Sequence, residues 1–214
     1  MNEKEQLESV RNWVKEKLIN ERTGHDWLHI SRVATLSVYM AKEEGADLFI
    51  TETAALVHDL IDAKLEKSER LTAGEVTERL AAFNIAADSI QEITDIITRM
   101  SFRHRELLIK RPLSLEGKVV QDADMLDAIG AAGIGRAFMF AGAKGHPMYG
   151  AQTSVLAHIE DKLIKLKGLM NTKAGAGLAE ERHQFLLQFA ARIQKRGRHL
   201  QKLSGAIERL CRLC

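Results

Sequence analysis

No proline occurs before Pro112, and only Pro147 follows it. Proline ends helices because it lacks a backbone N–H and clashes with the preceding turn. A chain of 214 residues with two prolines, rich in leucine, alanine, lysine and glutamate, is therefore predicted to be mostly helical. The apolar pattern agrees. Leu7, Val10, Val14 and Leu18 recur at helical spacing, and no segment alternates as a half-buried strand does. Helices are expected at 3–20, 27–44, 49–61, 73–83, 87–100, 116–131, 132–142, 153–170 and from Leu178 onward. Gly45 marks the end of the second, and Asp47 or Thr51 the start of the third. "RELLIKRPLSLEG", broken by Pro112, reads as a loop, and "NTKAGAG" as an interruption before the last helix. The expected fold is all-α, a bundle of about nine helices over residues 1–190, followed by a basic C-terminal helix or tail at 191–214.

Composition narrows the class. Hydrophobic residues make up 45% and charged residues 28%, which suits one soluble globular domain. No run of about 18 uncharged apolar residues is present, so no membrane partner is expected. "MNEKEQLESVRNW" has no apolar signal core, and the expected location is cytoplasmic. Both cysteines fall in the terminal "CRLC". One C-x-x-C pair cannot complete a four-thiolate zinc site, and two reduced thiols are expected. Net charge is +2, yet Arg192–Cys214 carries seven Lys/Arg against the single acidic Glu208. Such a tail can touch nucleic acid or an anionic surface. It has no aromatic residue on which a base could stack, so it is read as a solvated helix with no nucleic-acid partner. A homodimer is left open.

The informative anomaly is a set of polar residues inside apolar helices. In "AALVHDLID", His58 shares a helical stripe with Ala54 and Ile61, and Asp59 lies beside it. His29 shares a stripe with Val33, Leu36 and Met40. Asp122, Asp124 and Asp127 interrupt "EGKVVQDADMLDAIGAAGIG". Asp124 and Asp127 share a face, while Asp122 lies about 200° from Asp124. Burying imidazoles with carboxylates costs several kcal/mol unless they are hydrogen-bonded or hold an ion. Two histidines and two aspartates suit a divalent ion of intermediate hardness and leave positions open for water and substrate. The competing reading takes His29 as a satisfied core histidine and Asp59 as a carboxylate paired to an arginine. The ordered set His29, His58-Asp59 and Asp124 favours the metal.

That order, H…HD…D on separate helices, is similar to the HD-domain metal-dependent phosphohydrolases. "HDWLHISRV", "AALVHDLIDAK", "EGKVVQDADMLDAIGAAGIGRAF" and "HIEDKLIKLKGLMNT" resemble their small stand-alone bacterial branch. The resemblance runs from about residue 23 to 190. It implies an all-α HD bundle in which His29, His58, Asp59 and Asp124 converge on one divalent ion. Mn²⁺ is the first choice, with Mg²⁺, Co²⁺, Ni²⁺, Fe²⁺ or Zn²⁺ as alternatives. It also implies action on phosphate esters or anhydrides of nucleotides, as a phosphohydrolase or pyrophosphohydrolase. Some relatives hold a second metal with added histidines. Here His104 is the only histidine between Asp59 and Asp124, and Met100 stands where some relatives have histidine. A mononuclear ion is therefore expected.

Hydrolysis by activated water then calls for a water-orienting carboxylate, for which Asp62 and Asp127 are candidates. Asp127 can instead fix a ligand histidine. Substrate charge calls for cations, and Arg32, Lys64, Lys118, Arg136 and Lys144 are the options. No P-loop and no G-x-S-x-G elbow is present. A metal-containing nucleotide sensor with weak or no catalysis is the alternative function. The dipeptide His25-Asp26 is not assigned to the metal: Asp26 suits an N-cap, and His25 falls near the mouth of the site.

Overall fold

A computed structural model describes residues 1–21, 24–62, 65, 70–101 and 105–211, with side chains at all of these except 105–107 and 196–211. Among the described residues there are ten α-helices: α1 (Glu3–Leu18), α2 (Trp27–Glu44), α3 (Leu48–Val57), α4 (Ala73–Ala82), α5 (Ala87–Arg99), α6 (Arg105–Lys110), α7 (Leu115–Asp127), α8 (Gly130–Lys144), α9 (Val155–Asp161) and α10 (Lys173–Cys211). The described residues also include two 3-10 segments, His58–Ile61 and Leu163–Leu169, and no strand. The all-α expectation holds. No single described helix is long and apolar enough to cross a membrane; α7 and α8 pass that test only as a pair bent by 73°.

The helix ends follow local chemistry. Asn2 and Thr72 each close a capping box with a glutamate three residues on. Asp26 caps α2 and Asp47 caps α3. Gly45 ends α2 at φ 76°, a conformation that glycine adopts without a Cβ clash. The centre of the molecule is α2 packed between α3 and α7. Their facing residues, among them Ile30, Val33, Met40, Leu56, Val119 and Leu126, are fully buried.

Four expectations are corrected. The helix expected over 49–61 turns into a 3-10 segment at His58, so the HD dipeptide leaves the α register. Ala55 C=O accepts from the His58 ring at this junction. The "RELLIKRPLSLEG" stretch contains the short α6 before Pro112 ends it. The long helix expected over 153–170 breaks at Lys162 (φ −125°, ψ −60°) and continues as 3-10. Finally, α10 begins at Lys173 and runs through "KAGAG", because Thr172 caps it: Gly175 N–H donates to Thr172 Oγ1 at 3.0 Å.

Asp122 faces away from Asp124, as its angular offset requires. Its buried carboxylate accepts from the Asn171 and Thr172 backbones and side chains at 2.7–3.0 Å, fastening α7 to the start of α10.

Candidate metal centre

Three elements converge on one buried point. The Asp26 carboxylate accepts from His29 N–H at 2.9 Å, which fixes where α2 begins and places His29 in its first turn. The His29 side chain is 0% exposed. Its Nδ1–H donates to Asp127 Oδ2 at 2.8 Å. A carboxylate only accepts, so Nδ1 carries a proton and Nε2 is the nitrogen left to bind an ion. On the 3-10 segment, His58 Nδ1–H donates to Ala55 C=O at 2.8 Å, which assigns that ring in the same way. Both Nε2 atoms are buried, and neither has a hydrogen-bond partner among the described residues.

Both atoms point at the same two carboxylates. His29 Nε2 lies 3.1 Å from Asp59 Oδ2 and 3.6 Å from Asp124 Oδ1. His58 Nε2 lies 3.4 Å from Asp59 Oδ1 and 3.8 Å from Asp124 Oδ1. Donors bound to one first-row cation at about 2.1 Å stand roughly 3 to 4 Å apart. Buried imidazole nitrogens without partners are costly unless an ion takes them. The donor set therefore fits a divalent cation held by His29, His58, Asp59 and Asp124.

A second ring of groups holds the donors. Asp127 accepts from His29, from Arg32 Nε and Nη2 at 2.7 and 3.0 Å, and from Arg136 Nη1 at 3.1 Å. Arg136 also donates from Nε to Gly24 C=O at 2.7 Å. His25 Nδ1–H donates to Asp59 Oδ2 at 2.7 Å. Charge is balanced accordingly. Burial resists ionisation of the His58 ring, but the Asp59 and Asp124 carboxylates outweigh it and push its pKa up to about 9. Burial likewise raises the carboxyls, yet His58 and His25 hold Asp59 well below the usual carboxylate range. His58 and His29 do the same for Asp124, and His29 with Arg32 for Asp127.

Asp124, with 39% of its side chain exposed, opens the centre into a cavity of about 390 Å³. Arg136 and His25 line that cavity. So do Lys162, Phe140, Leu163 and Leu166, giving it cationic and apolar walls. Of the residues singled out in the sequence, His29, His58, Asp59, Asp124 and Asp127 come together, with Arg32 and Arg136 upon Asp127. Asp62 ends the 3-10 segment and does not line the cavity. Lys118 and Lys144 do not line it either. Lys64 and His104 lie outside the described residues, as do the side chain of Cys211 and all of Cys214. His25 is the member that the sequence left unassigned. It lies ahead of the Asp26 cap, outside α2, so helical spacing carries no signal for it.

The chain matches the HD domain family model over residues 27–129. It is 56% identical over 195 residues, 91% of this chain and 95% of the other, to the uncharacterized protein YpgQ of Bacillus subtilis strain 168. The crystal structure of Bacillus subtilis YpgQ in complex with ADP superposes with a TM-score of 0.81 at 54% identity, covering 91% of this chain and 96% of that one. An HD-superfamily hydrolase from Bacillus thuringiensis superposes with a TM-score of 0.73 at 37% identity, covering 92% and 99%.

Proposed function

This chain belongs to the HD domain family, and we propose that it is a divalent-metal-dependent hydrolase of nucleotide phosphate ester or anhydride bonds. The observation that carries the reading is the pair of buried imidazole nitrogens, His29 Nε2 and His58 Nε2, each left for an ion by the hydrogen bond at Nδ1 and both aimed at Asp59 and Asp124. The ADP bound by the Bacillus subtilis relative supports a nucleotide as substrate. Mn²⁺ suits two imidazoles and two carboxylates.

A divalent cation held by the four donors supplies water of lowered pKa and charge withdrawal from a phosphate oxygen. The chain's own groups do the rest. Asp127 keeps the His29 proton on Nδ1, so that Nε2 always faces inward. Arg136, anchored by Asp127 and Gly24, stands in the cavity wall as a fixed cation for the substrate's phosphates. Arg32, with 43% of its side chain exposed, adds charge behind it. With Nδ1 engaged by Asp59, His25 has Nε2 left to orient water or phosphate, and its ring lines the cavity. Phosphoryl transfer needs positioning and charge stabilisation more than covalent help, and this constellation offers both.

The test is a screen of the metal-free protein. Mn²⁺, Mg²⁺, Co²⁺ and Ni²⁺ are added singly, and nucleoside mono-, di- and triphosphates are assayed for released phosphate and pyrophosphate. Turnover with Mn²⁺ that is lost in His58→Ala supports the reading. Tight metal binding with no turnover on any nucleotide rejects the enzyme and leaves a nucleotide sensor.

A further inference from the structure

Gln121 carries chemistry that the metal centre does not use. It lines the cavity three residues before Asp124, about one helical turn away on the same face of α7. Its amide is anchored at both ends. Nε2 donates to Met100 C=O at 2.7 Å, and Oε1 accepts from Asn171 Nδ2 at 2.9 Å. Asn171 Nδ2 donates as well to the buried Asp122 carboxylate at 2.7 Å. Carbonyls and carboxylates only accept, so the orientation of both amides is fixed without ambiguity. One N–H and one Oε1 lone pair of Gln121 remain for a ligand.

The position says which part of a ligand. Beyond Asp124, α7 ends at its C-cap Ala128, and the chain continues into α8, whose Gly133 and cation Arg136 line the cavity. The N-terminal side leads to Gln121 and the apolar Met100. A phosphate chain is drawn to the guanidinium, and a neutral, hydrogen-bonding body suits the amide beside a methionine. We propose that Gln121 reads the nucleoside of the substrate, through a base edge or a ribose hydroxyl, and so makes the site select nucleotides over bare phosphate chains. This rests on the hydrolase reading above.

The experiment compares wild type with Gln121→Met, which keeps the volume and removes the amide, using ATP and inorganic tripolyphosphate with Mn²⁺. The variant is expected to lose at least tenfold in kcat/KM on ATP and less than about twofold on tripolyphosphate. UTP, GTP and deoxy-ATP, run alongside, assign the contact: a changed ratio among bases marks the base edge, and a changed ATP to deoxy-ATP ratio marks the ribose. Equal losses on ATP and tripolyphosphate, or no loss on either, overturn the proposal. If the wild type hydrolyses nothing, calorimetry of ATP and tripolyphosphate binding to the Mn²⁺-loaded protein decides separately. A selective loss of ATP affinity in the variant upholds Gln121 while the enzyme fails. Absence of such selectivity overturns Gln121 as well. An unchanged thermal midpoint and Mn²⁺ affinity in the variant show that the fold and the metal centre stand.

Discussion

Asp127 shows how much a single carboxylate can organise. It accepts from His29 and from two arginines on different helices. Asp127→Asn keeps the shape but loses the charge, and should weaken Mn²⁺ binding by roughly 10- to 100-fold. Titration of Mn²⁺ into the metal-free variant measures this, and an unchanged affinity would place Asp127 outside the centre. His58 gives a second expectation. Its pKa of about 9 in the metal-free protein means that the ring is cationic at neutral pH. A bound cation must displace that proton. Metal affinity should therefore rise by close to tenfold per pH unit and level off above about pH 9. Calorimetry in buffers of different ionisation heat should count nearly one proton released at pH 7.5; affinity flat from pH 6.5 to 8.5 speaks against it. His29 and His58 were legible in the sequence because each stood among apolar neighbours. His25 was not, since its partner Asp59 lies 34 residues away and only the fold brings them within 2.7 Å.

Between elements, the clasp at the start of α10 sets the wall of the cavity. Asp122 is fully buried and accepts from Asn171 and Thr172, and Asn171 in turn holds Gln121. Asp122→Ala leaves those donors unpaired in the interior and should cost about 2–4 kcal/mol of stability. The urea midpoint measures the loss. Gly175 is required by the same contact, because a Cβ there would lie 2.4 Å from Asp122 Oδ2 and 2.9 Å from Thr172 Oγ1. Gly175→Ala should therefore lower the thermal midpoint although alanine favours helix. Periodicity located most helices but not their interruptions. The 3-10 segment at His58 and the break at Lys162 depend on hydrogen bonds and backbone angles that an apolar pattern does not encode. Nor could spacing reveal that Thr172 would start α10 ahead of two glycines.

At the scale of the molecule, the described helices bring a 3-10 turn after α3, the first turn of α2 and the last turn of α7 to one point beside a cavity of about 390 Å³. The all-α class and the family were readable from composition and from a few blocks of sequence. The cavity was not: its walls come from the cap of α5, from α7, α8, the connector to α9, α9 and the 3-10 segment after it, and no local pattern marks a space between helices. The central claim is that the four convergent donors hold the cation on which hydrolysis depends. The most direct measurement is a titration of Mn²⁺ into metal-free protein, with bound metal and nucleoside triphosphate hydrolysis read in the same samples. Both should saturate together at about one Mn²⁺ per chain, and both should be lost in Asp124→Ala. Hydrolysis that persists without metal, or an Asp124→Ala variant that binds Mn²⁺ and turns over as the wild type does, would contradict it.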